Sequence, residues 1–222
     1  MFIRSSVIFV TLVFFLMPSV VIAAQKKGYC GDLRKDASHG PFDYMNRLNK
    51  GDPDVVEAFH FNSNVENLIS GQSGYLGGDL DYTLRAWPNH HRALTSLVKY
   101  SIRERSTHLP NMKFPVECYF DRAIRMNSKD ARVRSIYSAF LSHRGRNKEA
   151  FEQLEAATNL EPDNATFLYN LGLMYFKQKN YDKASQYAEK AYALDYPLPG
   201  LRNKLIQAGK WHGSPAARDS GK

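Results

Sequence analysis

The chain has 222 residues, and its 30 lysine and arginine residues outnumber its 22 aspartate and glutamate residues, which gives a formal net charge of +8 at pH 7. This length excludes a large multidomain protein and leaves room for one domain, or for one domain and a small annex. The basic excess favours an acidic protein or an anionic surface as a partner, although solubility explains the charge equally well.

The first 24 residues have the pattern of a secretory signal peptide. Arg4 provides a positive start, the stretch from Val7 to Val21 is apolar, and Ile22-Ala23-Ala24 forms a small-residue cleavage site. An uncleaved membrane anchor is the alternative, but the apolar run is shorter than the roughly 20 residues that cross a bilayer. We therefore expect export, with the periplasm as the predicted compartment, and cleavage would remove Arg4 and leave a net charge of +7. In an exported protein the basic excess argues against nucleic acid and favours acidic proteins, anionic lipid headgroups or acidic envelope polymers.

The two cysteines that follow the signal segment are Cys30 and Cys118. In an oxidising compartment two cysteines are expected to form one disulfide. No CxxC spacing is present, so a redox-active pair is not expected. The predicted bridge ties the N-terminal end of the mature chain to the first helical repeat described below.

Two short helices are predicted early in the chain. Pro41 suits the first turn of a helix through Leu48, and Gly51 closes that helix. Ser63 and Glu66 have the spacing of a capping box, which predicts a second helix through residue 69.

The remaining segments of residues 25–88 predict a small α+β annex. Val55–Phe61 contains β-branched and aromatic residues that favour a strand, although a helix also fits them. Asp79–Trp87 has the apolar alternation of a half-buried strand, carried by Leu80, Tyr82, Leu84 and Ala86. The same segment fits a helix whose apolar face would contain Leu80, Thr83, Leu84 and Trp87. We predict a hairpin-like pair of strands.

A polar cluster close to the end of the annex is the candidate for chemistry. It comprises His60, Asp79, Asp81, Arg85, His90 and His91. Paired carboxylates with histidines can bind a metal ion or perform acid–base catalysis, which supports a metal-assisted hydrolase that uses Asp79, Asp81, His90 and His91. No HExxH motif, nucleophile elbow or Walker loop accompanies them. The alternative is structural, with Asp79 capping a turn, Asp81 paired with Arg85 and the histidines at a helix start.

The second half of the chain repeats small residues at a spacing of thirty-four. Ala150 and Ala157 recur as Ala184 and Ala191, and Ala123 lies one period before Ala157. This period is typical of stacked helix–turn–helix units, in which alanine on the second helix allows the first helix to approach closely. The spacing predicts three helical hairpins.

These residues resemble the tetratricopeptide repeat family. The resemblance is carried by Leu171, Gly172, Tyr175, Ala184 and Ala191 in the last unit, and by Ala150, Ala157 and Pro162 in the unit before it. The chain departs from the family at Leu168 and Arg134, where a large aromatic residue is usual, and at Ser138, which replaces the family glycine.

The resemblance implies a mainly α protein with an α-solenoid in residues 89–212. Asn89 is expected to cap the first repeat helix, and the turn of the first unit, from about Glu104 to Pro115, is longer than usual. A final amphipathic helix, Leu201–Ala208, is expected to cover the end of the stack with Leu201, Leu205 and Ile206 directed inward. The tail, residues 213–222, is expected to be disordered.

The resemblance also implies a function, because first helices of such repeats line a concave groove in which peptides bind. On this register the groove residues are Arg132, Ser135, Ala139, His143, Tyr169, Asn170, Leu173, Phe176 and Lys177. Asn170 matches the asparagine that bonds the ligand backbone in peptide-clamping members, whereas the basic set of a carboxylate clamp is only partly present. We therefore expect a non-enzymatic scaffold or adaptor of the bacterial cell envelope, without a cofactor, that binds a protein or peptide partner.

Overall fold

A computed structural model describes residues 29–37, 39–47 and 53–213, and all regular secondary structure in these residues is helical. The predicted signal peptide and residues 214–222 of the predicted tail lie outside them. The elements are a 3₁₀ turn, Tyr44–Asn46, and the helices α1 (Pro53–His60), α2 (Ser63–Glu66), α3 (Leu76–Ala86), α4 (His91–Arg103), α5 (Val116–Met126), α6 (Ala131–His143), α7 (Asn147–Leu160), α8 (Ala165–Lys177), α9 (Tyr181–Ala193) and α10 (Gly200–Gln207).

The predicted helical hairpins are confirmed in the second half of the chain. Helix α6 packs along α7 and α8 packs along α9. The four alanines on the second helices, Ala150, Ala157, Ala184 and Ala191, are completely buried. Each pair is joined by three residues, and the first of these turns contains Gly145 with a φ of +76°, a backbone conformation that suits glycine. Helices α4 and α5 form the first pair, with the longer connection that the sequence predicts.

In both complete units the two helices approach each other closely, at Gly172 in the last unit and at Ser138 in the unit before it. A Cβ atom on Gly172 would lie 2.7 Å from a methyl carbon of Leu201 and 3.3 Å from the backbone oxygen of Ala184. One period earlier, Ser138 donates a hydrogen bond of 2.6 Å from its Oγ to the backbone oxygen of Ala150. Serine thus replaces the family glycine because its hydroxyl turns the close contact with that carbonyl into a hydrogen bond.

The last helix covers the end of the stack. Leu201 and Leu205 of α10 are completely buried, as predicted, whereas Ile206 is 54% exposed and was wrongly placed inward. Leu205 lies one turn after Leu201, so these two share a face that Ile206 does not. The backbone N–H of Leu201 donates to the hydroxyl of Tyr169 over 3.2 Å, which ties α10 to α8.

The predicted strands of the annex are wrong, since the described residues contain no strand. Val55–Phe61 falls largely on α1, and Asp79–Trp87 falls largely on α3. Leu80 and Leu84, one helical turn apart, are both completely buried, and α3 packs against α1 and α4. The segment therefore forms a helix rather than a strand, because burial against neighbouring helices outweighs a weak strand propensity.

Three predicted helices also need correction. Helix α2 is a single turn that does not reach residue 69, and its cap is Asn62 rather than Ser63, with the Asn62 side chain accepting from the backbone of residues 64 and 65. Helix α4 is capped by His90 rather than Asn89. The predicted helix at residues 41–48 is reduced to the 3₁₀ turn at residues 44–46, and residues 48 and 51 lie outside the described part.

One apolar core joins the annex to the repeats. It contains Phe61, which follows α1, and Val65, Leu80 and Leu84 of α2 and α3, together with residues of α4 to α7. A second core lies under α7 to α10. Because the first core is shared, the N-terminal helices pack directly on the first repeat.

None of the helices in the described part of the chain is long and apolar enough to cross a bilayer.

Candidate functional site

The polar cluster of the annex is resolved into separate pairs. His60 Nδ1 lies 2.8 Å from a carboxylate oxygen of Asp79. The other oxygen of Asp79 accepts the backbone N–H groups of Gln72 and Ser73 over 2.6 and 3.1 Å. Asp79 thus holds the loop before α3, the turn-capping role that the structural alternative predicted.

Asp81 belongs to a different set of contacts. It accepts from Arg85 Nε over 2.7 Å, from the backbone N–H of Lys113 over 3.1 Å, and from the Tyr119 hydroxyl. Burial raises the pKa of Tyr119, and the neighbouring Asp81 carboxylate raises it further, so this phenol stays protonated and donates its hydrogen bond. The lysine and tyrosine contacts tie α3 to the long connection before α5 and to α5 itself.

The two histidines at the start of α4 face different carboxylates. His90 is completely buried, with Nε2 2.8 Å from Glu57, and its Nδ1 accepts the backbone N–H of Ala93 over 3.1 Å. His91 Nε2 lies 2.8 Å from Asp130. Burial lowers the pKa of His90, although the Glu57 hydrogen bond acts in the opposite direction. A neutral His90 that accepts at Nδ1 donates from Nε2 to Glu57.

The four residues of the alternative metal site are therefore not brought together. Across the described residues, no three His, Cys, Asp or Glu side chains are placed to hold one ion. The sequence prediction missed the carboxylates that organise this region, Glu57 and Asp130. Asp130 also accepts from Asn89 over 3.0 Å and caps α6 at the backbone of Val133.

The N-terminal segment is fixed by a disulfide and a buried arginine. The sulfur atoms of Cys30 and Cys118 are 2.08 Å apart. Arg122, one turn after Cys118 on α5, is completely buried and donates to the backbone oxygens of Cys30 and Asp32 over 3.2 Å each. Burial lowers the pKa of Arg122, while the nearby Asp36 carboxylate favours its charged form. Residues 30–36 are thereby held against α5.

An open groove lies along the first helices of the three units, α4, α6 and α8. Its volume is about 400 Å³, and it is lined by Glu66, His91, Arg92, Thr95, Ser96, Lys99, Arg132, Ser135, Ile136, Asn164, Thr166 and Phe167. A smaller groove of about 180 Å³ shares Ser135 with it and contains Ser138, Ala139, Ser142, Leu154, Asn170, Leu173, Met174 and Lys177. We call the two together the concave groove.

The concave groove is basic and offers an uncommitted amide. Within the described part of the chain, Lys99, Arg132 and Lys177 form no salt bridge, and the Asn170 side chain makes no hydrogen bond. Arg92 differs from the three cations because Glu66 and Glu57 neutralise it. Three positive charges and an amide are therefore available to a ligand.

The predicted groove residues are only partly brought together. Ser135, Ala139, Asn170, Leu173 and Lys177 line the smaller groove, and Arg132 lines the larger one. The remaining three, Tyr169, His143 and Phe176, line neither.

The three side chains outside the groove have other places in the fold. Tyr169 is buried, with its ring stacked 4.1 Å from that of Tyr196. The Phe176 ring packs edge-on against Tyr181, and His143 is exposed at the end of α6.

Sequence reasoning missed the contribution of α4, including Lys99. Helices α4 and α6 begin forty residues apart, at His91 and Ala131, whereas α6 and α8 begin thirty-four apart. The longer connection in the first unit shifts its first helix out of the thirty-four-residue register. Aligning α4 by its apolar face, with Leu94, Leu97 and Val98 buried, would have placed Lys99 in the groove.

Comparisons with known proteins agree with this architecture. A family model for the TPR repeat matches residues 143–179, and one for the tetratricopeptide repeat matches residues 165–197. The type IV pilus assembly protein PilF of Pseudomonas aeruginosa is 31% identical over 84 residues, which are 37% of this chain and 33% of the relative. The match thus spans about a third of the length of that curated relative.

One solved structure shares the fold, and a second resembles part of the chain. A crystal structure of MamA has a TM-score of 0.51 at 18% identity and covers 70% of this chain and 80% of its own. A structure of P. aeruginosa PilF has a TM-score of 0.49 at 22% identity, and the match covers 71% of this chain and 67% of the PilF chain. The matched family segments cover α7 to α9, whose packing is described above. Residues 143–197 therefore contain tetratricopeptide repeats.

Proposed function

We propose that this protein is a non-enzymatic binding module whose concave groove holds an extended acidic segment of a protein partner. The observation that carries the proposal is a set of cations, Lys99, Arg132 and Lys177, that have no partner among the described residues and lie beside the amide of Asn170, which has none there either. Tetratricopeptide repeats are protein-interaction modules, and the proposal assigns that role to this surface.

The chemistry of the groove fits such a segment. Ile136 and Leu173, both half-buried, supply apolar surface for side chains of the ligand. An extended peptide leaves its backbone N–H and C=O groups unpaired, and an amide side chain can bond both. Carboxylates are attracted to the basic residues, and a hydrogen bond to a charged group contributes more than a neutral one.

We also propose that the protein is exported to the periplasm. The signal pattern in residues 1–24 and the Cys30–Cys118 disulfide together support export to the periplasm. Since the relative from P. aeruginosa is named a pilus assembly protein, we place this chain among scaffolds or adaptors of the cell envelope. We divide the mature chain into an annex at residues 25–88, repeats with a cap helix at residues 89–212, and the tail.

A binding experiment with charge-reversed variants tests the groove. The probes are two fluorescein-labelled peptides of about twelve residues, each acidic in one half and neutral in the other, in the two possible orders; we call them the half-acidic peptides. An extended peptide of that length spans about 40 Å. We expect one order to bind the purified protein saturably, and Arg132→Glu with Lys177→Glu to weaken binding by at least about tenfold.

The matched control reverses two lysines outside the groove, Lys148 and Lys204, which are exposed on α7 and α10. It changes the net charge by the same amount, so a similar loss in both double variants would contradict a groove site. Anionic lipid vesicles distinguish the other partner class. Binding to vesicles that disappears with added salt, without saturable peptide binding, would instead indicate docking on an anionic membrane or polymer surface.

A further inference from the structure

The concave groove is not uniformly basic, because the annex adds one acidic side chain to its lining. Glu66, at the end of α2, lines the larger groove next to Arg92. Its two carboxylate oxygens accept from Arg92 Nε and Nη2 over 2.8 and 2.5 Å. Arg92 Nη1 also donates to Glu57 over 3.0 Å. One arginine thus faces two carboxylates, which leaves this corner with a formal net negative charge.

The position of Glu66 is fixed by the fold. Its backbone oxygen accepts the Ser96 hydroxyl over 2.7 Å, and the oxygen of Leu68 accepts Arg103 Nη1 over 2.7 Å, so both ends of this segment are bonded to α4. The neighbouring Val65 is completely buried in the first core. The carboxylate is therefore a fixed part of the groove wall rather than a mobile surface group.

The remaining wall has the opposite charge. Lys99 lies two turns beyond Arg92 on α4, about 10 Å along the helix axis, and Arg132 and Lys177 lie on the next two first helices. A ligand that follows α4, α6 and α8 meets an acidic corner at one end and unpaired cations along the rest. Like charges that face each other across a site oppose binding and thereby select between partners.

We propose that Glu66 is a specificity-determining residue: the groove accepts a segment with carboxylates over Arg132 and Lys177 and a neutral or basic residue next to Glu66, and it rejects a uniformly acidic segment. This inference rests on the proposed function and deepens it. It identifies the ligand class as a segment of polarised charge, bound in one direction. It also assigns the N-terminal annex a part in recognition, through a side chain that lies outside the repeats.

The test compares the better half-acidic peptide with a uniformly acidic peptide of the same length on the purified protein. The net positive charge of the protein alone would favour the uniformly acidic probe, since it carries more negative charge. We expect the opposite, with the half-acidic peptide binding about tenfold more tightly. In Glu66→Gln the ratio of the affinity for the half-acidic peptide to that for the uniformly acidic peptide should fall to about threefold or less, because the uniformly acidic peptide gains affinity.

The matched control is Glu152→Gln, which removes a carboxylate on α7 that faces a separate acidic pocket beside α5. It should leave the ratio unchanged, and circular dichroism should show the same helix content in both variants. Equal or tighter binding of the uniformly acidic peptide to the unaltered protein would overturn the inference, as would an unchanged ratio in Glu66→Gln. If that peptide binds tightly and Arg132→Glu with Lys177→Glu abolishes binding, only the role of Glu66 fails. If no probe binds, the proposed function fails with it.

Discussion

The repeats and the N-terminal region are held together by different kinds of contact. In α6 to α9, small residues bring helices close together, and Ala150, Ala157, Ala184 and Ala191 are completely buried. Between the N-terminal region and the start of α4, buried and half-buried polar side chains connect segments far apart in sequence, as with His90 and Glu57. The first region depends on shape and the second on satisfied hydrogen bonds, so the two should respond differently to substitution.

This difference bears on function because the two regions meet at the groove. The repeats supply Arg132 and Lys177, whereas the polar network of the N-terminal region positions α4, which carries Arg92 and Lys99. Substitutions that loosen the network should therefore alter the first wall of the groove without removing the later repeats. Substitutions in each region should distinguish the two kinds of contact by their effect on stability, from the largest expected effect to the smallest.

Removal of the disulfide should destabilise the protein most. The bridge joins residues 88 positions apart, and closing a loop of that length stabilises the folded state by about 4 kcal/mol in the chain-entropy model. The free energy of unfolding in urea should fall by about that amount for Cys30→Ser with Cys118→Ser. The same loss is expected for the unaltered protein in reductant. Equal stability with and without reductant would show that the bridge contributes nothing.

Truncation of Asp130 should disrupt the polar network. Its carboxylate is almost completely buried and bonds Asn89, His91 and the backbone of Val133. Leaving these groups without a partner should cost about 3 kcal/mol in Asp130→Ala. Asp121→Ala is the control, because Asp121 forms an exposed pair with Arg125 on one helix and should cost less than about 1 kcal/mol. Similar losses in the two variants would mean that the network is no more important than a surface pair.

A larger side chain at Ala184 tests the packing of the repeats. Ala184 is completely buried and its backbone lies against Gly172 of the facing helix. Ala184→Leu should lower the free energy of unfolding by about 2 kcal/mol, because the helices must move apart. Ala193→Leu, on the exposed side of the same helix, should change it little. A tolerated leucine at position 184 would contradict the close approach.

The smallest expected effect is a pH dependence from His90. Burial lowers the pKa of folded His90 below the ordinary value of 6.5, so the unfolded state binds more protons in the window between the two values. Stability should therefore fall as pH decreases from 7 to 5, and His90→Gln should reduce that slope. The charged groups that contact or neighbour His90, Glu57 and Arg92, remain in the variant. Urea unfolding at each pH measures the slope, and an equal slope in His90→Gln and in the unaltered protein would refute the assignment.

The same comparison explains which parts were predictable from the sequence. The spacing of Ala150, Ala157, Ala184 and Ala191 repeats within a short window, so it predicted the hairpins. The family resemblance, rather than the spacing, implied the place of Asn170 in the groove. The partners Glu57–His90 and Asp130–His91 are more than thirty residues apart. No local pattern records such pairs, and the same histidines therefore also fitted a metal site. Helix α3 was misread because alternation and helical spacing coexist in eleven residues, and only packing against α1 and α4 decides between them.

The central claim, that the concave groove is the binding surface, is tested most directly by mapping a bound peptide with NMR. Backbone amide signals of the isotope-labelled protein would be followed while the better half-acidic peptide is added. The account predicts that the largest shifts occur on the first helices, around Lys99, Arg132, Asn170 and Lys177, with α7 and α9 changing little. Saturable binding that shifts mainly the second helices, or α10, would contradict it.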